Sequence, residues 1–406
     1  MTGRWHDGAG TTRPAPTVPP PEAADGLDVR AMADWLAGHR EEIVADLLDL
    51  VGRESPSDDP GLLADLLAHL EDWVGRRLGA PEARTLHTAE GFGPVAVLDL
   101  PGHGDGRLVA LCHYDTVFPA GTLEERPAAL DGDRLTGPGV FDMKAGLVQC
   151  VWALRALDAL GARRPPVRLV LNGDEEIGSL FSRPIIEEAA AGAAAVLVFE
   201  ASVDGALKTA RKGVGLFDVT VHGVESHAGL DPEAGASAVS GLAHVVAALD
   251  AGEDLNRGTS INVGVIRGGT RANVVAGHAA AGIDVRVSTR AEQDRVDELM
   301  RSLRAPDERV SVEVTGGWNR PVMERTAGVA AMYELARAVA AQMGVDLREQ
   351  SVGGASDGNF VAALGLPVLD GLGAVGSGAH ARHENASVTG MIERAAVAAG
   401  VVAAFG

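Results

Sequence analysis

Cysteine is nearly missing from this chain: two occur in 406 residues, Cys112 and Cys150, each inside an apolar run. That excludes a disulfide framework and fits a reducing, cytoplasmic setting. Cys112 adjoins His113, but its apolar surroundings favour a small buried hydrophobe over a ligand. Aromatic residues make up only 4%, so the core must come from Ala, Val and Leu, and nothing suggests a stacking platform for a planar ring system. Positive charge is also short, with 35 Lys and Arg against 56 Asp and Glu, for a net charge of −21. A nucleic-acid partner is excluded on that account, because neutralising phosphates requires clustered cations. Most of the acidic surplus reads as solvated surface, and an anionic substrate would need a locally positive pocket. No apolar stretch reaches the roughly 20 residues needed to cross a bilayer, so the chain reads as soluble with no membrane partner.

What is present is ordinary for a globular protein, 46% hydrophobic and 22% charged residues, over a length that favours two domains. Residues 1–27, rich in Pro, Gly, Thr and Ala with no apolar segment, read as a disordered tail. Helical spacing runs from about Asp28 through Trp35, Leu36, Ile43, Leu47 and Leu50, and a second helix is predicted from Gly61 to Leu78. Buried-strand runs follow at Leu108–Cys112, Val167–Leu171, Ala195–Phe199 and Leu366–Leu369. Helices are predicted among and after them at Lys144–Leu160, Arg183–Ala191, Val329–Gln342 and Asp357–Leu364. That alternation predicts an α/β fold with a doubly wound, mostly parallel sheet. From Gly213 to about Val314 the order changes to strand, helix, strand, strand, helix, strand, a split βαβ arrangement. The expected organisation is a catalytic domain of residues 28–210 and 318–406, interrupted by an inserted α+β, ferredoxin-like domain at 211–317.

Ligands of open α/β sheets collect beyond the carboxyl ends of the strands. Four such ends here deliver metal-type side chains: His113-Tyr114-Asp115, Gly173-Asp174-Glu175-Glu176, Phe199-Glu200, and the glycine-rich turn Gly371–Gly378 leading to His380. Asp142 follows Gly137-Pro138-Gly139 just before a predicted helix. Each is weak alone; their joint placement is the signal. Two imidazoles and three carboxylates suit zinc, with no thiolate. One shared carboxylate lets five side chains hold two ions per subunit, with Co2+ or Mn2+ as substitutes. Such a pair polarises a carbonyl and acidifies a water. Asp115, two residues beyond His113, is placed to orient the imidazole. Glu175, whose neighbour Glu176 is committed to metal, is the natural general base.

The segments HYDTV at 113–117, GPGVFDMKAG at 137–146, DEEIGS at 174–179, FEAS at 199–202 and GAHARHE at 378–384 resemble those of the zinc aminoacylase and carboxypeptidase family. That family includes glutamate carboxypeptidase, acetylornithine deacetylase and succinyl-diaminopimelate desuccinylase, and the likeness extends over nearly all of the chain after residue 28. It implies that Asp142 bridges two zinc ions, with His113 and Glu200 on one and Glu176 and His380 on the other. It also implies a cis Asp142–Met143 peptide. The spacing to Glu384 favours His380 over His383, which is expected at the surface. The resemblance further implies a homodimer through the inserted domain, whose His227 donates to an oxyanion in the neighbouring subunit's site. Asn273 and Arg286 resemble the pair that holds a substrate carboxylate, and Gly354 belongs to a substrate-lining loop. A structural salt bridge competes for Arg286. Arg320, Lys208, Arg211 and Lys212 are further cations able to meet an anion, while His222, His244 and His278 read as ordinary domain residues.

The implied activity is hydrolysis of an amide or peptide bond next to a free carboxylate. Carboxypeptidase action, with glutamate as the released residue, stands first. N-acyl-amino-acid deacylation is the alternative and dipeptidase action the third reading. A non-catalytic dimeric scaffold would predict a broken ligand set, whereas all the expected groups are present.

Overall fold

The computed structural model describes residues 17–104 and 106–406, with the backbone of Arg4–His6 and Thr12–Pro14 as a pair of short antiparallel strands. Apart from those backbones, the first 16 residues of the expected disordered tail lie outside the described residues. Its remainder is ordered: Pro21–Ala24 form a 3-10 turn, Ala24 is wholly buried, and its carbonyl accepts from Gln342 Nε2 at 2.5 Å. A single buried Ala in a Pro-rich stretch has no periodic signal, so composition alone hid this docking.

The chain divides into two compact units, one of Met1–Thr209, Arg325–Ser351 and Ser356–Gly406, the other of Ala210–Glu324 and Val352–Ala355. The second unit thus runs to Glu324 instead of ending at 317: its last strand stops at Arg320, and Arg211 and Met323 form one further bridge beyond it.

In the first unit four neighbouring strands run parallel: Val368–Asp370, Ala195–Val198, Leu108–His113 and Val167–Asn172. Antiparallel strands extend the sheet on both sides, Leu207–Arg211 beside Val368–Asp370 and Val95–Leu100 beside Val167–Asn172. Both faces are covered, as a sheet of apolar strands demands. Leu108, Ala110, Cys112, Leu169, Leu171 and Leu197 pack into one core with the helices Ala145–Ala159, Ala327–Gln342 and Val388–Ala403. The intervening Val109, Leu111, Val170 and Val196 are buried on the other side of the pleat, where Ser182–Ala190 and Gly358–Ala363 lie.

Helix Val388–Ala403 escapes sequence reading because nearly all its residues are buried, so no polar face marks its period. The first helix, read as continuous to Leu50, breaks into Val29–Gly38 and Arg40–Val51 at His39, whose Nδ1 lies 2.8 Å from the Trp35 carbonyl. Trp152, wholly buried, donates Nε1–H to Asp46 at 2.8 Å. Both cysteines are buried and free.

The second unit follows the expected order Gly213–His222, Ala238–Gly252, Ser260–Gly268, His278–Val287, Arg290–Ser302, Ser311–Arg320. Its four strands form an antiparallel sheet in which Gly213–His222 lies between His278–Val287 and Ser311–Arg320, with Ser260–Gly268 at one edge. Alternate residues Ala279, Ala281, Ile283, Val285 and Val287 pack with Leu242, Val245, Leu249, Val296 and Met300 from the two helices. Among the described residues no helix is long and apolar enough to cross a membrane.

Candidate metal centre

The four parallel strands end at the same edge of the sheet, so the residues that follow them meet in space although they are far apart in sequence. His113 closes its strand, Glu176 and Glu175 lie in a 3-10 turn after Val167–Asn172, and Glu200 follows Ala195–Val198. Asp142 sits in an irregular turn, Val140–Lys144, that enters helix Ala145–Ala159, and its peptide bond to Met143 is cis. Two glycines permit this crowding. Gly139 has φ +72°, and a Cβ on Gly146 would stand 1.9 Å from the Phe199 carbonyl oxygen, so the helix approaches Glu200's strand only without a side chain there.

His113 is buried, with Nδ1 3.1 Å from the Asp115 carbonyl oxygen and 3.3 Å from Asp115 Oδ1. That leaves Nε2 facing Asp142 Oδ1 at 3.2 Å and Glu200 Oε1 at 3.6 Å. His380, at φ +61°, points Nε2 at Glu176 Oε2, 3.0 Å away, and at Asp142 Oδ2, 3.4 Å away. The two oxygens of Asp142 therefore face different imidazoles. Donor atoms of His113, Asp142 and Glu176 lie within 4.8 Å of one another, as do those of His113, Glu175 and Glu200. Glu175 thus joins the expected ligands at the same distance, and Lys208 Nζ stands 3.9 Å from Glu200 Oε2. His383 is exposed.

Asp115, wholly buried, does more than orient His113. Its carboxylate accepts from the Ser57 hydroxyl at 2.7 Å and from the amides of Glu175 and Glu176 at 3.2 and 3.1 Å. One side chain thereby fixes both His113 and the turn carrying two carboxylates. Ser57 was not foreseen, because a serine in a loop carries no periodic or charge signal. Glu384 is a second unforeseen participant, wholly buried and bonded to three backbone amides around Asp142.

The electrostatics follow from five carboxylates crowded on two imidazoles. Burial pulls the His113 imidazolium down, but hydrogen bonds to Asp115 and Asp142 outweigh it and hold the group well above the usual histidine range. His380 is pushed up to about 10 by hydrogen bonds to Asp142 and Glu176. Asp142 is held below the usual carboxylate range, its burial offset by both imidazoles and Lys208. Burial raises Glu176 and brings Glu384 up to about 7 and Lys144 down to about 7. The imidazole nitrogens face carboxylate oxygens as the ligands of a divalent cation would, and the donor set, all nitrogen and oxygen, fits zinc-like ions.

In the second unit His227 is exposed, and its Nδ1 accepts from the amides of Gly229 and Leu230 at 3.1 and 3.0 Å. In the neutral ring the proton then resides on Nε2, leaving that atom a donor. The Ala228 amide donates to the Asn273 carbonyl at 3.0 Å, so these two expected residues are neighbours. Arg286 is elsewhere. Asn273 precedes strand His278–Val287 and Arg286 lies near its far end, roughly 26 Å along at ~3.3 Å per residue. The expected Asn273–Arg286 pair is therefore not assembled within one chain. Arg286 donates Nε and Nη2 to Asp284, both at 2.8 Å, and opposes Val214 in the ladder, as does Arg320 from the other side. Gly354 belongs to this unit, its carbonyl accepting from Arg211 at 3.2 Å.

Residues 110–404 match the model of peptidase family M20/M25/M40. Carboxypeptidase G2 of Pseudomonas sp. (strain RS-16) is 29% identical over 346 residues, 83% of this chain and 83% of that protein. Succinyl-diaminopimelate desuccinylase of Gluconobacter oxydans (strain 621H) is 28% identical over 370 residues, 83% of this chain and 94% of that protein. Among solved structures, aminopeptidase PepT from Bacillus cereus ATCC 10987 superposes with a TM-score of 0.72 at 20% identity, covering 90% of this chain and 98% of that one. With the family model spanning most of the sequence and the metal-type side chains assembled at one sheet edge, the chain belongs to peptidase family M20/M25/M40 and is a hydrolase of peptide or amide bonds.

Proposed function

We propose that the protein is a two-zinc carboxypeptidase, releasing a C-terminal residue such as glutamate from a small peptide. The observation that carries the two-ion reading is Asp142, whose two oxygens face His113 and His380 separately. His113, Glu200 and Asp142 would hold one ion, and Asp142, Glu176 and His380 the other. When bound, the ions would polarise the scissile carbonyl and acidify a water.

Glu175 takes the proton of the attacking water and returns it to the departing amine, a general acid–base role for which its carboxylate stands beside His113 and Glu200. Asp115 orients His113 through Nδ1 and holds the Glu175–Glu176 turn by its amides. The Nε2–H of His227, from a second copy of the chain, donates to the developing oxyanion.

The homodimer is supported by edge strand Ser260–Gly268, where Val265 and Ile266 are exposed beside an open groove of about 530 Å³ lined by Val239, Leu242, Ala243 and Val246. It is supported equally by the separation of Asn273 from Arg286, since a carboxylate held by both requires two chains. Arg286 and Arg320, which oppose Val214 from its two neighbouring strands, are the cations proposed to meet an anionic substrate, Arg286 by exchanging its Asp284 partner.

The likeness to carboxypeptidase G2 favours a peptide substrate. The likeness to a desuccinylase supports the second reading, N-acyl-amino-acid deacylation, by the same site on the same bond type. Zinc analysis together with a panel of C-terminal-residue and N-acyl amides tests the proposal. Turnover of N-acyl substrates alone would move the protein to the second reading. Fewer than one ion per chain, with no turnover on added zinc, would remove the metalloenzyme.

A further inference from the structure

Asp142 and His380 arrive from chain segments 238 residues apart by their numbering, and a small antiparallel sheet draws those segments together. Strand Asn385–Ser387 pairs with Gly376–Ser377 on one side and Arg134–Thr136 on the other. That sheet aligns the segments at both margins but makes no bond to the turn bearing Asp142. Glu384 does. Its Oε2 accepts from the Gly139 amide at 3.0 Å, and its Oε1 accepts from the amides of Phe141 and Asp142 at 2.9 and 3.0 Å. Its own backbone is fastened to the His380 turn, since the Glu384 amide donates to Ala381 O at 3.1 Å and the Ala381 amide to Gly378 O at 2.9 Å.

We propose that Glu384 is a positioning residue of the metal centre, whose buried carboxylate locks the turn carrying Asp142 to the segment carrying His380. The inference rests on the two-ion reading above. The chemistry requires a carboxylate. Three N–H donors converge on it, and only a group with two acceptor oxygens and no hydrogen of its own meets them all. A Gln would turn an NH2 against one amide and leave a buried donor unpaired, and an Asp is one methylene too short to keep the same reach. Because one of the three donors is the Asp142 amide itself, slack at Glu384 passes directly to the residue that both imidazoles face.

The test compares wild type, E384Q, E384D and D133A. Asp133 serves as the control for stability alone, because it accepts from Ser387 Oγ, Thr389 N and Thr389 Oγ1 at the start of helix Val388–Ala403 and touches no metal-type side chain. Amide hydrogen exchange is followed in the metal-free proteins, and cobalt binding by absorption titration. In E384Q the amides of residues 139, 141 and 142 are expected to exchange at least about tenfold faster. Affinity for the second cobalt ion should fall about ten- to hundredfold. D133A should lose thermal stability yet keep both properties. Should E384Q not fold, E384D carries the same expectations with smaller changes. Wild-type exchange at those three amides, or two cobalt ions bound at wild-type affinity, would overturn the proposal. Wild type binding fewer than two ions would defeat the two-ion reading instead, and amide exchange alone would then decide the role of Glu384.

Discussion

Loading the metal-free protein with zinc at pH 7 should release close to two protons per chain. Without metal, His380 is pushed up to about 10 by Asp142 and Glu176, so at pH 7 its protonated form prevails by ~10^3 to one. His113, held well above its ordinary value by Asp115 and Asp142, is shifted toward the protonated form as well. Each imidazole offers Nε2 toward Asp142, and a metal takes that nitrogen only when it is bare. Two ligating imidazoles therefore give two protons.

Calorimetric titrations in phosphate and in Tris at one pH measure the number directly, as the slope of apparent enthalpy against buffer ionisation enthalpy. The apparent affinity should rise with pH, by up to about tenfold per unit for each proton displaced, and the rise should flatten for His380 near pH 10. The sign for the fold is opposite. A folded-state value raised from 6.5 to about 10 contributes stability that is complete below pH 6.5 and lost as pH climbs through 10. The metal-free protein should therefore melt lower at pH 9 than at pH 6.5, modestly, because the His380 side chain is half exposed and screened. H380A should halve the slope, and H383A should leave it intact. A slope of zero for wild type at pH 7 would refute the reasoning.

Glu175→Gln is expected to lower kcat by about 10^2–10^4 while both ions stay bound; turnover near wild type would remove Glu175 as the base. Asp115→Asn should weaken metal binding about ten- to hundredfold, because it loosens His113 and the Glu175–Glu176 turn together; dialysis against graded chelator reads the change. Gly146→Ala should destabilise by about 1–3 kcal/mol, since its Cβ would collide with backbone at Phe199 rather than with a movable side chain. An unchanged denaturant midpoint would show that the helix shifts freely there.

The sequence by itself determined which residues were chemically distinctive and roughly where they stood. His113, Glu176, Glu200 and His380 could be named because buried β-runs are visible as apolar stretches and the residues that follow them stand out as polar. The strand–helix order of the second unit and the four parallel strands of the first were legible for the same reason. Tertiary structure decided everything that depends on distance. The helix Val388–Ala403 is buried on all sides and so has no period to read, and the docking of Ala24 rests on one small residue. Ser57 and Glu384 became participants only when folding brought them to Asp115 and to the Asp142 turn. Arg286 and Asn273, read together, proved to stand near opposite ends of one strand. Side-chain type can be read along the chain, but a hydrogen bond or a shared ligand site is a relation in space. Its partners in the metal centre, separated by up to 245 residues, meet because four parallel strands end together and a small antiparallel sheet brings in the segment carrying His380.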